Sequence, residues 1–300
     1  MFVQTRVGPV KEITRLVVDG WPSPGLKVLE NWLLQSVQQL KLKKERTKFL
    51  VTPGGFAIGK FPKNWEGGCG WESSDKDLSE LIPFAIPIVD KVVSKRLLKA
   101  AAGFIKYITL NVDLRSKHTA LHAELVAVID VASGKIIGWT GKSYPTMSQE
   151  KKIVRATDPS THLFELGADR VVILGCHDLN IFNGRARANQ KRGGHRDLAC
   201  RKMLQCFNEF KPTHIIQHPH GTDTWRSWNQ SWKQVSRQFP GVCWSSAITY
   251  AANKGERRAP LQDVLDRTHY EGSESLNFIV KGRSKRTMLQ RSYVPVAANS

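Results

Sequence analysis

Residues 105–142 constrain the fold most strongly, because three β-rich segments fall within them: IKYITLNVDL (105–114), ELVAVIDV (124–131) and KIIGWTGK (135–142). The Ala-Ser-Gly between the last two predicts a tight hairpin turn. On either side, strand patterns alternate with helical ones. RLVVDG (15–20) and KFLVTP (48–53) predict strands that flank a helix over 26–42, where apolar residues recur at every third or fourth position. The Gly-rich stretch PGGFAIGKFPKNWEGGCGW predicts irregular surface structure. A helix is then expected over 77–101, with Pro83 and Pro87 breaking its first part. Beyond the hairpin, strands at 161–166, 170–176, 213–218, 242–252 and 275–282 alternate with helices at 195–209 and 224–238. Such βα units combined with hairpins imply a layered α/β domain whose sheets are mixed.

No internal repeat or long linker divides the chain, so one domain is expected over 1–282, followed by a basic tail over 283–300. Proline or charge interrupts every apolar stretch before the roughly 18 residues that a membrane-spanning helix needs. The first residues also lack the apolar core and cleavage site of a secretion signal. These features predict a soluble, cytoplasmic protein without a membrane partner. Five cysteines with no CxxC pair argue against a disulfide framework or a structural zinc site, and no cofactor is implied.

Lysine and arginine outnumber aspartate and glutamate by 45 to 26, leaving a net charge of +19. This excess favours polyanionic partners, nucleic acid among them, and the solvated-surface alternative remains open. The charge is clustered at 41–48, 185–201, 253–258 and 281–291, and Arg185 and Arg187 are candidate binding residues. No RNP, zinc-finger or helix-turn-helix signature points to sequence-specific readout.

The apolar strand VVILGCHDLNIF (171–182) ends in Gly-Cys-His-Asp. Alternation along a continuing strand would send Cys176 and His177 to opposite faces. This strand, the hairpin VIDVASGKIIGWTGKSYP and the downstream segment FNEFKPTHIIQHPHGTDTWRSWNQSWKQVSRQFPGVCWSSAITYAAN carry a resemblance. In order and spacing over residues 13–282 they are similar to the nitrilase, or carbon-nitrogen hydrolase, superfamily. The resemblance implies a nitrilase-like α-β-β-α sandwich, Cys176 as nucleophile, Lys142 as oxyanion stabiliser, and association with a second copy or another protein. In that chemistry a thiolate attacks an amide carbon, a carboxylate moves the protons, and a lysine faces the developing negative charge.

One departure stands out. Where the family has Pro-Glu-Gly, this chain has Pro53-Gly54-Gly55, so the general base is missing from its usual position. Glu66, Glu72 and Asp75 in the following loop are candidates to reach in, and His177 is a candidate substitute base. The resemblance places His218 and His220 of HIIQHPHGTD at the pocket rim, as candidate ligand contacts. The leading expectation is a catalytically silent or altered subunit that binds an anionic partner. The alternatives are an active thiol hydrolase of C–N bonds and a metal-dependent phosphoesterase or nuclease built on the His/Asp cluster. Trp225, Trp228 and Trp232 share a helical face, which suits a core contact better than base stacking.

Overall fold

Side-chain alternation sorts the strands into two sheets packed face to face. The computed structural model describes residues 10–22, 25–184, 191–222, 226–251, 259–270 and 275–283. In its first half the chain forms β1 (Val10–Asp19), α1 (Leu26–Lys43), β2 (Arg46–Val51), β3 (Ala57–Lys60), α2 (Asp75–Val92), α3 (Lys95–Ala101), β4 (Ile105–Arg115), β5 (His122–Asp130) and β6 (Lys135–Gly141). There follow β7 (Ile153–Val154), β8 (Leu163–Leu166), β9 (Asp169–Leu174), α4 (His195–Phe210) and β10 (His214–Gln217). The last elements are α5 (Arg226–Gln238), β11 (Cys243–Ser246), β12 (Ile248–Tyr250), α6 (Leu261–Arg267) and β13 (Ser275–Lys281).

The larger sheet runs β12-β1-β2-β4-β5-β6, with β13 paired to β1, β3 to β4 and β7 to β5; the smaller runs β11-β10-β9-β8. β1, β2 and β4 are parallel, whereas β4-β5-β6 and β8-β9 are antiparallel, so both sheets are mixed. Between the sheets lie Phe49, Val51, Tyr107, Val126 and Val128 from one side, and Val171, Ile173 and Ile216 from the other. The opposite faces of the same strands pack on helices. Leu50, Ile108 and Leu125 meet α1 and α2 through Leu29, Leu33 and Leu81, and Val172, Leu174 and Ile215 meet α4 and α5 through Phe207 and Trp232. The layers therefore run α-β-β-α, the nitrilase-like sandwich with mixed sheets expected from the sequence.

Three local expectations are corrected. Pro83 and Pro87 do not break α2, which is continuous from Asp75 to Val92. Both prolines are exposed, so water can solvate the carbonyls they leave unbonded. The helix is fixed at its start by a capping box, in which Ser74 and Asp77 exchange hydrogen bonds with each other's backbone N–H. The break falls instead at Val93-Ser94, where Ser94 caps α3. Within the Gly-rich stretch, Ala57–Lys60 form β3 and pair in parallel with β4. The strand expected over 242–252 is divided: β11 pairs in the small sheet, β12 pairs in the large one, and the chain crosses between them at Ala247.

Candidate active site

β9 ends at Leu174, and the chain turns so that both Cys176 and His177 line one cavity of about 360 Å³. Strand alternation does not apply to them, because the strand has already stopped. Gly175 is required by close approach, since a Cβ there would lie 3.0 Å from the Cα and Cβ of Lys142. Asp178 ties the same two segments together by accepting from the N–H groups of Gly175, Ser143 and Tyr144 at 2.6–2.9 Å. The sequence neighbours of Cys176 thus divide their roles: His177 faces the cavity, whereas Asp178 is buried as a backbone anchor. Gln217 fixes the turn after β9 from the next strand, donating to the Cys176 carbonyl at 2.6 Å. It is held in turn by Ser246 and, through it, by Trp232. Trp232 and Trp228 are core residues; Trp225 lies outside the described residues.

Lys142, one residue beyond β6, is fully buried. Its ammonium donates to Glu124 Oε1 at 3.0 Å, to Gln149 Oε1 at 2.7 Å and to His177 Nδ1 at 3.4 Å. Burial alone would lower its pKa, but Glu124 and then Cys176 hold it above the ordinary lysine value. Glu124, despite its own burial, is kept below the usual carboxylate value first by Lys142. The pair is a buried, mutually compensating ion pair.

His220 stands on the other side of the thiol. Its Nε2 donates to Asp113 Oδ2 at 2.9 Å, its Nδ1 lies 3.6 Å from Glu124 Oε2, and its backbone N–H donates to Cys176 Sγ at 3.3 Å. Asp113 also accepts from Arg115 Nε at 3.1 Å. Although burial would raise the Asp113 carboxyl, His220 and Arg115 bring it down to about 2. Burial likewise opposes the charge on His220, but Asp113 and then Glu124 push its pKa well above the ordinary histidine value. For Cys176, burial would raise the thiol pKa; His177 and then His220, by charge and hydrogen bonding, lower it to about 5. At neutral pH these directions give a thiolate beside an imidazolium.

Gly54 explains how His220 arrives there. The Gly54 N–H donates to Pro219 O at 2.9 Å, and a Cβ on Gly54 would lie 2.6 Å from His218 O and 2.8 Å from the Pro219 carbonyl carbon. A side chain at position 54 and the observed path of residues 218–220 exclude each other. Gly55, with φ +63°, lies directly against the His220 ring.

His218 is placed differently from its expected rim position. It is fully buried, donates from Nδ1 to Thr52 O at 2.6 Å, and does not line the cavity. Burial lowers its pKa to about 4, so the ring is neutral. Glu66, Glu72 and Asp75 also stay out of the cavity, and Asp75 instead accepts from the Thr157 and Asp158 N–H groups. Arg185 and Arg187 lie outside the described residues. The histidines of HIIQHPH go to separate partners: His214 to Glu12, His218 to Thr52 and His220 to Asp113. Among the described residues, no group of three His, Cys, Asp or Glu is arranged to hold a metal ion. No helix among them is long and apolar enough to cross a membrane.

Asp113, Glu124 and Gln149 are the site residues that the sequence reading missed. A signal for two of them was present, because Asp113 and Glu124 interrupt otherwise apolar strands in YITLNVDL and AELVAVID. A carboxylate on a buried strand must have a cationic or hydrogen-bonding partner.

No protein-family profile and no curated protein matches the sequence. Among solved structures, the chain is similar to an amidase from Nesterenkonia sp., with 11% identity over 81% of this chain and 78% of that one, at a TM-score of 0.49. It is similar to Saccharomyces cerevisiae Nit3, a member of branch 10 of the nitrilase superfamily, with 12% identity over 83% and 79% of the two chains and a TM-score of 0.49. A third likeness is to a glutamine-dependent NAD+ synthetase from Acinetobacter baumannii, with 10% identity over 78% of this chain but 38% of the other, at a TM-score of 0.47.

Proposed function

We propose that the protein is a nitrilase-like thiol hydrolase of C–N bonds in which His220, oriented by Asp113, serves as the base that the glutamate at position 54 would otherwise supply. The observation that carries this reading is His220 itself, whose imidazole is held by Asp113 Oδ2 in the cavity that Cys176 lines and whose backbone N–H donates to the Cys176 Sγ. The Cys176 thiolate attacks the carbonyl carbon of an amide, and the carbonyl π electrons move onto oxygen. Lys142 stabilises that oxyanion. Its 3.4 Å contact to His177 is the longest of its three, and is the one an oxyanion displaces. Loss of such a donor costs about 3 kcal/mol in the transition state. The His220 imidazolium then gives its proton to the leaving nitrogen as the C–N bond breaks. The neutral imidazole next takes a proton from the water that opens the thioester, and the thiolate leaves. Glu124 and Gln149 hold Lys142 in place, and a cavity of about 360 Å³ suits a small substrate.

Acylation by p-nitrophenyl acetate, an activated ester used in place of an amide, tests the nucleophile directly. The expected result is a burst of p-nitrophenol stoichiometric with enzyme, abolished in Cys176→Ser and slowed at least tenfold in His220→Asn. A full-length protein that gives no burst at neutral pH supports the alternative, a silent subunit whose charge of +19 serves an anionic partner.

A further inference from the structure

A second concave site lies at the opposite end of the large sheet. It has a volume of about 350 Å³, and its walls include Val10, Phe104, Ile105 and Val131. Arg46, Lys48 and Lys106 also line it, and no Asp or Glu does among the described residues. Lys48 is neutralised by Glu12 at 2.9 Å and Asp169 at 3.0 Å. Arg46 and Lys106 have no such ion pair among the described residues. The Arg46 Nε is buried without a hydrogen-bond partner among the described residues. The Lys106 ammonium lies 5.2 Å from the centre of the Tyr107 ring, with no carboxylate beside it among the described residues. The basic run 41–48 therefore contributes to a pocket as well as to surface charge. Lys106 and Asp113 are seven residues apart on β4, so this site and the thiol site are separated by roughly 23 Å of extended chain.

Two cations without an ion-pair partner among the described residues favour an anion in the cavity they line, and a guanidinium fork matches the geometry of a phosphate or carboxylate. The apolar walls call for more than a bare ion. We infer that this cavity binds a small compound with an apolar body and one phosphate or carboxylate group, the anion held between Arg46 and Lys106. The inference does not depend on the activity proposed for Cys176.

Calorimetric titration of the full-length protein with 1-naphthyl phosphate tests it, with inorganic phosphate and 1-naphthol as the partial ligands. The expected result is saturable one-to-one binding of 1-naphthyl phosphate, with each partial ligand at least tenfold weaker. Arg46→Gln combined with Lys106→Gln should weaken binding at least tenfold, and alkylation of Cys176 should leave it unchanged. Should the double variant fail to fold, Lys106→Gln alone changes only an exposed side chain and should weaken binding at least threefold. Absence of binding, equal binding by the variants, equal affinity for inorganic phosphate, or loss of binding on alkylation of Cys176 would each overturn the assignment.

Discussion

The glycine at position 54, where the proposed reading expects a glutamate, clears the path taken by residues 218–220. The space that any Cβ at this position would fill is occupied by the His218 carbonyl and the Pro219 backbone. Gly54→Glu should therefore not restore a base. It should displace the loop that carries His220, lowering Cys176 reactivity at least tenfold and destabilising the protein by about 2 kcal/mol, as backbone overpacking does. Alkylation kinetics together with a urea melt check both effects, and a gain in reactivity would contradict this account. Cys176 and Lys142, singled out from the order and spacing of the motifs, line one cavity with His220, which the sequence offered only as a rim contact beside His218. Asp113 and Glu124 were not legible, because no local pattern says which strand-borne carboxylate meets which distant cation. The loop carboxylates drew attention as replacements, yet a loop that anchors its own backbone, as Asp75 does, has no side chain to spare.

Long periodic elements were legible nearly to their ends: the helix expected over 26–42 is observed at Leu26–Lys43, and that over 195–209 at His195–Phe210. Elements decided by partners were not. β3 is four residues long and exists because β4 extends far enough to pair with it, which nothing in AIGK announces. The division of 242–252 into β11 and β12 reflects a change of sheet, a tertiary event without a local signature. In α2, propensity was overridden: the capping box and an apolar face through Leu78, Leu81, Ala85 and Val89 hold a helix that its prolines oppose. Ser74→Ala should cost about 1 kcal/mol of stability, read as a lower urea midpoint with unchanged slope. Were the midpoint unaffected, packing alone would suffice to start this helix.

The sandwich brings residues from β4, β5, the end of β6, the turn after β9 and the loop after β10 to one end of the two sheets, and there the site forms. Most of the remaining chemistry is charge. With a net charge of +19, the protein should be retained on heparin, and retention should fall steeply with salt and weaken when the basic residues of 281–291 are neutralised. Salt-independent retention would mean that the excess charge is solvated surface only. The proposed enzyme and the silent subunit share this surface and differ at the thiol. The most direct measurement is therefore the rate of iodoacetamide alkylation of Cys176 as a function of pH, followed by intact mass. Because the thiol pKa is lowered to about 5, the thiolate persists at every pH above that value. The rate should stay near its plateau down to about pH 6 and reach half of it near pH 5, and in His220→Asn its midpoint should move upward and the rate at pH 6 should fall at least tenfold. A wild-type rate that instead declines below about pH 8.5, as for an ordinary cysteine, and that His220→Asn leaves unchanged, would contradict the pairing of Cys176 with His220.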